Sequence, residues 1–317
     1  MLLKEIYDLL IKKGLEADPR GAEEVTRSLN RLARRFEEMK PEEKAEFDQE
    51  RLTNPYDDTR VLVGDLAIEV NSILAGIDID MGEILLADRL REKGLKIDLV
   101  LAHHPLGKAL VGLAEVMHLQ EDVLFQLGVP INIAEGILAD RIGEVHRGLL
   151  PLNHNKTVDG ARILNLPLMC VHTPADNQVY DFLNQLMEAK KPDTVGMVLS
   201  LLKEIPEYRR AIDYGSGPEV VVGDKDRRAG KIFVDMTGGT SGPENAYEQL
   251  AQAGIGTIVG MHMNDKHRKE AEKHHTNVII AGHMASDSLG MNLLLDALEA
   301  KGINVMPCSG LERVKRV

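Results

Sequence analysis

Tryptophan is missing from this 317-residue chain, and phenylalanine and tyrosine number only five and six. So sparse a supply of rings argues against aromatic platforms that stack bases or bind sugars. There are two cysteines, Cys170 and Cys308, far apart and each within or just after an apolar run. That excludes a disulfide scaffold and reads as free thiols in a reducing compartment. No uninterrupted apolar run reaches the length of about 18 residues that a membrane span needs. The start, Met1-Leu2-Leu3-Lys4-Glu5-Ile6, alternates charged with apolar residues, which leaves no apolar stretch for a signal peptide. The expectation is a soluble, cytoplasmic protein with no membrane partner. Positive charge is scarce too: 38 Lys and Arg against 50 Asp and Glu give a formal charge of -12. General nucleic-acid binding is therefore not expected. The one basic cluster, Arg313, Lys315 and Arg316, reads as a solvated tail.

What is present is ordinary globular chemistry, 44% hydrophobic and 28% charged, in a length that suits about two domains. Residues 1 to about 50 have helical periodicity, with Leu2, Ile6, Leu9 and Leu10 on one stripe and Leu29, Leu32 and Phe36 on another; Pro19 and Gly21 separate the two. The charged stretch from Met39 to Pro55 reads as an exposed helix or linker, with a structural or oligomer-contact role. From Arg60 onward, short apolar runs of strand length alternate with amphipathic helices, the pattern of α/β architecture. Strands are expected at Val61–Val63, Ile73–Ile79, Ile97–Ala102, Ile131–Ile133, Leu168–Val171, Val220–Val222, Ile232–Val234, Thr257–Val259 and Val278–Ala281. Helices are expected over Gly82–Lys93, Lys108–Leu127 and from Ile133 to about Leu150. After a loop at Pro151–Gly160, others end near Lys190 or span Pro243–Ala253, Asp265–His274 and Ala285–Ala300. There is no short tandem repeat, but two α/β halves of comparable length fit the pattern.

Three strand ends carry the chemistry. The strand through Ala102 runs into His103-His104-Pro105, the one through Val171 into His172-Thr173-Pro174-Ala175-Asp176, and the one through Ala281 into Gly282-His283-Met284-Ala285-Ser286-Asp287. Carboxyl ends of strands are where open α/β sheets place ligand crevices. Neutral imidazole is a common ligand for divalent transition metals, and carboxylates bridge pairs of them. Each segment also has a purely structural reading: a core histidine with its N–H satisfied, Asp176 as a helix N-cap, Asp287 as a first-turn residue favoured by the helix dipole. The Gly238–Pro243 run lacks the spacing of a phosphate-binding loop and reads as a tight strand-to-helix turn. No serine lies in a nucleophile-elbow motif. His118, His146, His262 and His267 fall on helices or their ends, where structural roles are the default, and His274-His275 reads as a surface pair.

Taken in order, these segments resemble the Nif-three-like family, also known as GTP cyclohydrolase type 2 homologues. There a buried strand ends in His-His-Pro, a later one in His-Thr-x-x-Asp, and a C-terminal one in Gly-His-x-x-Ser-Glu. Asp57–Gly64 and Gly238–Ala246 also look like family segments, so the resemblance covers about residues 57–317. It implies an α/β fold of two intertwined three-layer halves, here with a helical N-terminal extension: residues 1–56 the extension, 57–235 the first half with a middle segment, 236–317 the half that completes a metal site. It further implies homohexamers and a dinuclear centre of two divalent ions per chain, with His103, His104, Asp176, His283 and Asp287 as ligands, Asp176 bridging, and His172 beside them as the proton-moving residue, His267 being a weaker candidate. Zinc, iron, manganese, nickel and cobalt all suit such ligands. Asp287 stands where the family pattern has Glu, one methylene longer. Residues 1 to about 50 and 151–235 depart from the pattern. The function implied is a metal-dependent hydrolase acting on a small substrate, such as a nucleotide or phosphoester. The alternatives are a non-enzymatic metal-binding or regulatory protein using the same site, or an interaction scaffold built on the N-terminal helices.

Overall fold

The computed structural model describes residues 1–316. Helix α1 (Leu3–Glu16) places Leu3, Ile6 and Leu10 on one face at three- and four-residue steps, and all three are fully buried. They join the core of the first sheet, together with residues of the two long helices described below. The first helix is thus part of the body of the protein. Helix α2 (Ala22–Glu38) buries only Val25, and α3 (Pro41–Glu46) buries nothing.

Next come β1 (Arg60–Val63), β2 (Ser72–Gly76), α4 (Met81–Glu92), β3 (Leu99–Ala102), α5 (Gly107–Val111), α6 (Leu113–Val116), α7 (His118–Leu127), α8 (Ile131–Leu149), α9 (Lys156–Ile163), β4 (Leu168–Cys170) and α10 (Thr173–Lys190). The chain continues through α11 (Val195–Glu204), α12 (Pro206–Asp213), β5 (Glu219–Val222), β6 (Lys231–Asp235), α13 (Ala246–Gln252), β7 (Ile255–Gly260), α14 (Asp265–Lys273), β8 (Asn277–Ile280), α15 (His283–Glu299) and β9 (Asn304–Cys308). Two sheets result, ordered β1-β4-β3-β2-β9 and β5-β8-β7-β6.

The sheets repeat one plan. In each, three neighbouring strands are parallel and the first strand of the half lies antiparallel at the edge, with a register shift at Val61/Val63 in β1 and at Val220/Val222 in β5. Both irregularities precede the same tripeptide, Val63-Gly64-Asp65 and Val222-Gly223-Asp224. Under this correspondence β3 matches β7 and β4 matches β8, so His172–Asp176 and His283–Asp287 occupy equivalent strand ends. The halves interlock: β9, after the second sheet is complete, returns to pair in parallel with β2 of the first.

Several sequence expectations are corrected. Ile131–Ile133 opens α8 instead of forming a strand, because Pro130, with φ −55, sets the chain for a helix start and the Ile133 and Ala134 amides bond back to its carbonyl. Lys108–Leu127 is three short helices, broken at Gly112, where a side chain would collide with the Asp57 backbone. The Pro151–Gly160 loop becomes helical from Lys156. Helices α11 and α12 and strand β9 lie where the sequence signal was weak. The basic tail is only partly solvated: Lys315 stays exposed, but Arg313 is held by Asp296 and Glu299, and Arg316 by Glu207. No helix among the described residues is long and apolar enough to cross a membrane.

Candidate metal centre

The parallel strands β3, β4 and β8 deliver their carboxyl ends to one cleft, and α10 and α15 start there. The His103 and His104 amides bond to the Gly76 and Ile77 carbonyls at 2.9 and 3.0 Å, which fixes the tandem pair in the extended line of β3. At the head of α10, the His172 amide bonds to the Thr59 hydroxyl at 3.2 Å. At the head of α15, Gly282 takes φ 110, a left-handed value suited to glycine, and turns the chain so that His283 and Asp287 share one helical face.

The imidazoles are oriented from behind. His103 Nδ1 lies 3.1 Å from the Val171 carbonyl and His104 Nδ1 lies 2.6 Å from Asp78 Oδ1, so each Nδ1 carries the proton and donates it. Their Nε2 lone pairs then face carboxylates. His103 Nε2 is 3.5 Å from Asp176 Oδ1 and 3.5 Å from Asp287 Oδ1. His104 Nε2 and His283 Nε2 are each 3.5 Å from Asp287 Oδ2. His103 Nε2, Asp176 Oδ1 and both Asp287 oxygens are buried without a hydrogen-bond partner. Acceptors facing acceptors in a buried site repel unless a cation or a proton lies between them. The arrangement fits a divalent metal, with the Nδ1 bonds in the place that second-shell partners of metal-bound histidine take. Three groups can hold an ion: His103, Asp176 and Asp287; His104, His283 and Asp287; and His103, His104 and His172. Asp287 belongs to two of them, one oxygen to each.

The protonation states of His103 and Asp287 favour ligation. Burial pushes His103 down to about 4, more than Asp287 pulls it back, so it is neutral at pH 7. Burial opposes ionisation of Asp287, yet His103, His104 and His283 hold its carboxyl far below the usual range. His172 has a different setting. Burial disfavours its charged form, but Asp176 and the fully buried Asp58, whose Oδ2 is 2.8 Å from His172 Nδ1, raise its pKa. Asp176 Oδ2 lies 3.7 Å from the same Nδ1, and burial raises the Asp176 carboxyl above its usual range. The Thr173 hydroxyl donates to the same Asp58 oxygen at 2.6 Å.

All six residues singled out in the sequence, His103, His104, His172, Asp176, His283 and Asp287, are therefore brought together. The cleft has a volume of about 290 Å³ and opens past His104 and His283, the latter 42% exposed in its side chain. His267 lies apart from it, bonded to the Gly242 carbonyl at 3.0 Å. Sequence reasoning missed Asp58, Asp78 and His262. His262 is not on a helix: it follows β7, 5.0 Å from His283 between ring centroids, and its Nδ1 is 3.2 Å from the Ser241 hydroxyl. Since β7 corresponds to β3, the internal repeat was the signal for it. The Gly238–Pro243 turn is held from behind, Gln120 donating to the Gly238 and Thr240 carbonyls and Arg141 to that of Ser241.

Neither the protein-family models nor the curated proteins contain a match to this chain. Solved structures do match. A NIF3 superfamily protein from Sphaerobacter thermophilus is 27% identical, with a TM-score of 0.70 over 80% of this chain and 92% of that one. Reduced HcgD from Methanocaldococcus jannaschii, 17% identical with a TM-score of 0.53 over 85% of this chain and 97% of that one, shares the fold. With the fold matched over most of both chains and the His-His-Pro, His-Thr-x-x-Asp and Gly-His-x-x-Ser-Asp segments converging on one cleft, the chain has the fold of NIF3 superfamily proteins.

Proposed function

We propose that the chain is a metal-dependent hydrolase of a small substrate, such as a phosphoester or nucleotide, with two divalent ions held in the cleft. His103, Asp176 and Asp287 would hold one, and His104, His283 and Asp287 the other. Asp287, whose two oxygens face separate groups, would serve both ions, whereas Asp176 turns its second oxygen to His172. Such a pair, when bound, supplies Lewis acidity to a substrate oxygen and makes water acidic enough to react near neutral pH.

The chain's own residues do the rest. Asp58 fixes the ring of His172 and keeps a proton on it, which suits His172 to give up a proton to a leaving group and regain it from solvent. Asp78 and the Val171 carbonyl hold His104 and His103 in the tautomer that leaves Nε2 free. The half-exposed His283 and the open side of the cleft admit substrate.

The observation that carries this reading is the set of buried acceptors opposed across Asp287 beside an open cleft. A purely structural metal site is closed by protein ligands, whereas a catalytic one keeps positions free. Elemental analysis of protein purified without chelator, followed by a screen of phosphoesters and nucleotides, tests it. About two ions per chain and turnover abolished by chelation are expected. Metal without turnover would leave the storage or regulatory reading, and no metal uptake from zinc, manganese or iron would overturn both. Assembly into homohexamers belongs to the same proposal, and light scattering checks it.

A further inference from the structure

Beside the metal cleft is a second chamber of about 60 Å³. Asp235, Thr237, Ser241 and His262 line both spaces, so the two adjoin. Past this neck the walls turn apolar, with Phe233, Leu250 and Ile258, and Tyr247 stacks 5.7 Å from His267. Asp235 stands at the neck, at the end of β6. No lysine or arginine lines the chamber. Of its two histidines, His267 is held below the ordinary histidine value, chiefly by burial. Asp235 is exposed, and no neighbouring charge acts on its carboxyl. Near neutral pH it is a carboxylate with no cationic partner, open to the chamber.

We infer that this chamber is the specificity pocket of the cleft, and that it takes a short apolar group bearing a protonated amine, whose charge Asp235 accepts. The size is restrictive. A dry cavity of about 150 Å³ holds benzene, so a chamber of about 60 Å³ takes only a few heavy atoms beyond the neck. The size excludes a fused two-ring base from this side and favours an alkylamine end of about two or three carbons. An amine whose ammonium meets Asp235 would put its other substituent within the metal cleft, where the four shared residues mark the border. This assignment rests on the cleft being where reaction occurs, but the binding preference is a property of the chamber alone.

The test uses ethylammonium and its neutral isostere ethanol, titrated by ligand-observed NMR into the full-length protein, metal-loaded and chelated, with metal content read on the same samples. Wild type is expected to bind the ammonium about tenfold tighter than the alcohol, the gain of one charge-assisted contact. Asp235→Asn, with its fold verified by circular dichroism, is expected to lose that preference, and Ala246→Phe, which fills the chamber, to reject both probes. The amine preference in protein that takes up no metal would support the pocket while removing the hydrolase reading. Equal affinity for the two probes, no binding of either, or a preference that Asp235→Asn retains would overturn the proposal.

Discussion

Gly290 of α15 rests directly on the Ala175 carbonyl of α10, with no room between them for a methyl group. This close crossing sets the spacing of the two carboxylates, because Asp176 follows Ala175 and Asp287 lies one turn before Gly290. Gly290→Ala is expected to push the helices apart at a cost of about 1–3 kcal/mol, the range for overpacking a tight core. Urea unfolding reads the loss, and metal titration reads the accompanying fall in affinity.

Asn177 ties three parts of the chain together. Its amide nitrogen donates to the Gly14 carbonyl at 3.2 Å and lies 3.3 Å from the Tyr56 hydroxyl, while its oxygen accepts from the Thr237 hydroxyl at 2.6 Å. Asn177→Leu removes all three bonds and leaves buried partners unpaired, for which about 1–3 kcal/mol per group is the usual penalty. Denaturant midpoints lower than wild type at an unchanged slope are the expected result.

The shared position of Asp287 separates the ligand variants. Asp287→Ala is expected to lose both ions, whereas His283→Ala, which touches only one Asp287 oxygen, should retain about one per chain in the two-ion arrangement. Elemental analysis of the variants beside wild type gives the count. An Asp287→Ala protein that kept its full metal content would remove the bridge from Asp287.

Asp58 acts through His172. Asp58→Asn keeps the shape and weakens the hold on the Nδ1 proton, so the pKa of His172 should fall. Turnover at neutral pH should drop by about a hundredfold, the low end of general acid catalysis. Proton NMR of the imidazole and pH–rate profiles are the measurements, and a variant with an unshifted profile would make His172 structural.

The C-terminal clasp gives a pH dependence. Burial works against ionisation of Glu299, but Lys315 and Arg313 outweigh it and hold the carboxyl below its ordinary value of 4.5. A depressed carboxylate contributes stability that is complete above the unfolded value and lost as pH falls through the folded one. Thermal unfolding should therefore show a loss of stability below about pH 4.5 that is smaller in Glu299→Gln. Arg313→Ala, which strands the buried Asp296, is expected to cost about 3–5 kcal/mol at pH 7.

The site was more legible than the body that holds it. His103, His172 and His283 each follow a short apolar run, and burial of such a strand is decided locally, so its end can be read from the sequence. Asp58 and Asp78 act on histidines 114 and 26 positions away, a relation that only the folded sheet creates. Ile131–Ile133 has the residue types of a strand, but the hydrogen-bonding start provided by Pro130 makes it helix. Strand β9 reads poorly because none of its residues is buried and Pro307 interrupts it, which an edge position tolerates. The N-terminal helix was legible as a helix, while its place in the core depends on partners more than 150 residues away: the Gln178 amide bonds to the Lys13 carbonyl.

The return of β9 to β2 sets the order in which the molecule can be completed. Ser72 pairs with Asn304 and Gly76 with Cys308, so during synthesis β2 keeps one edge bare until the second sheet and α15 have emerged. Segments of such long sequence separation pair late and slowly. A ribosome-bound intermediate ending before residue 277 would have His103, His104 and Asp176 in hand but neither His283 nor Asp287. Metal acquisition would consequently be tied to the last stage of folding, and a free metal ion would meet the complete set of side chains only in a chain that has closed its first sheet.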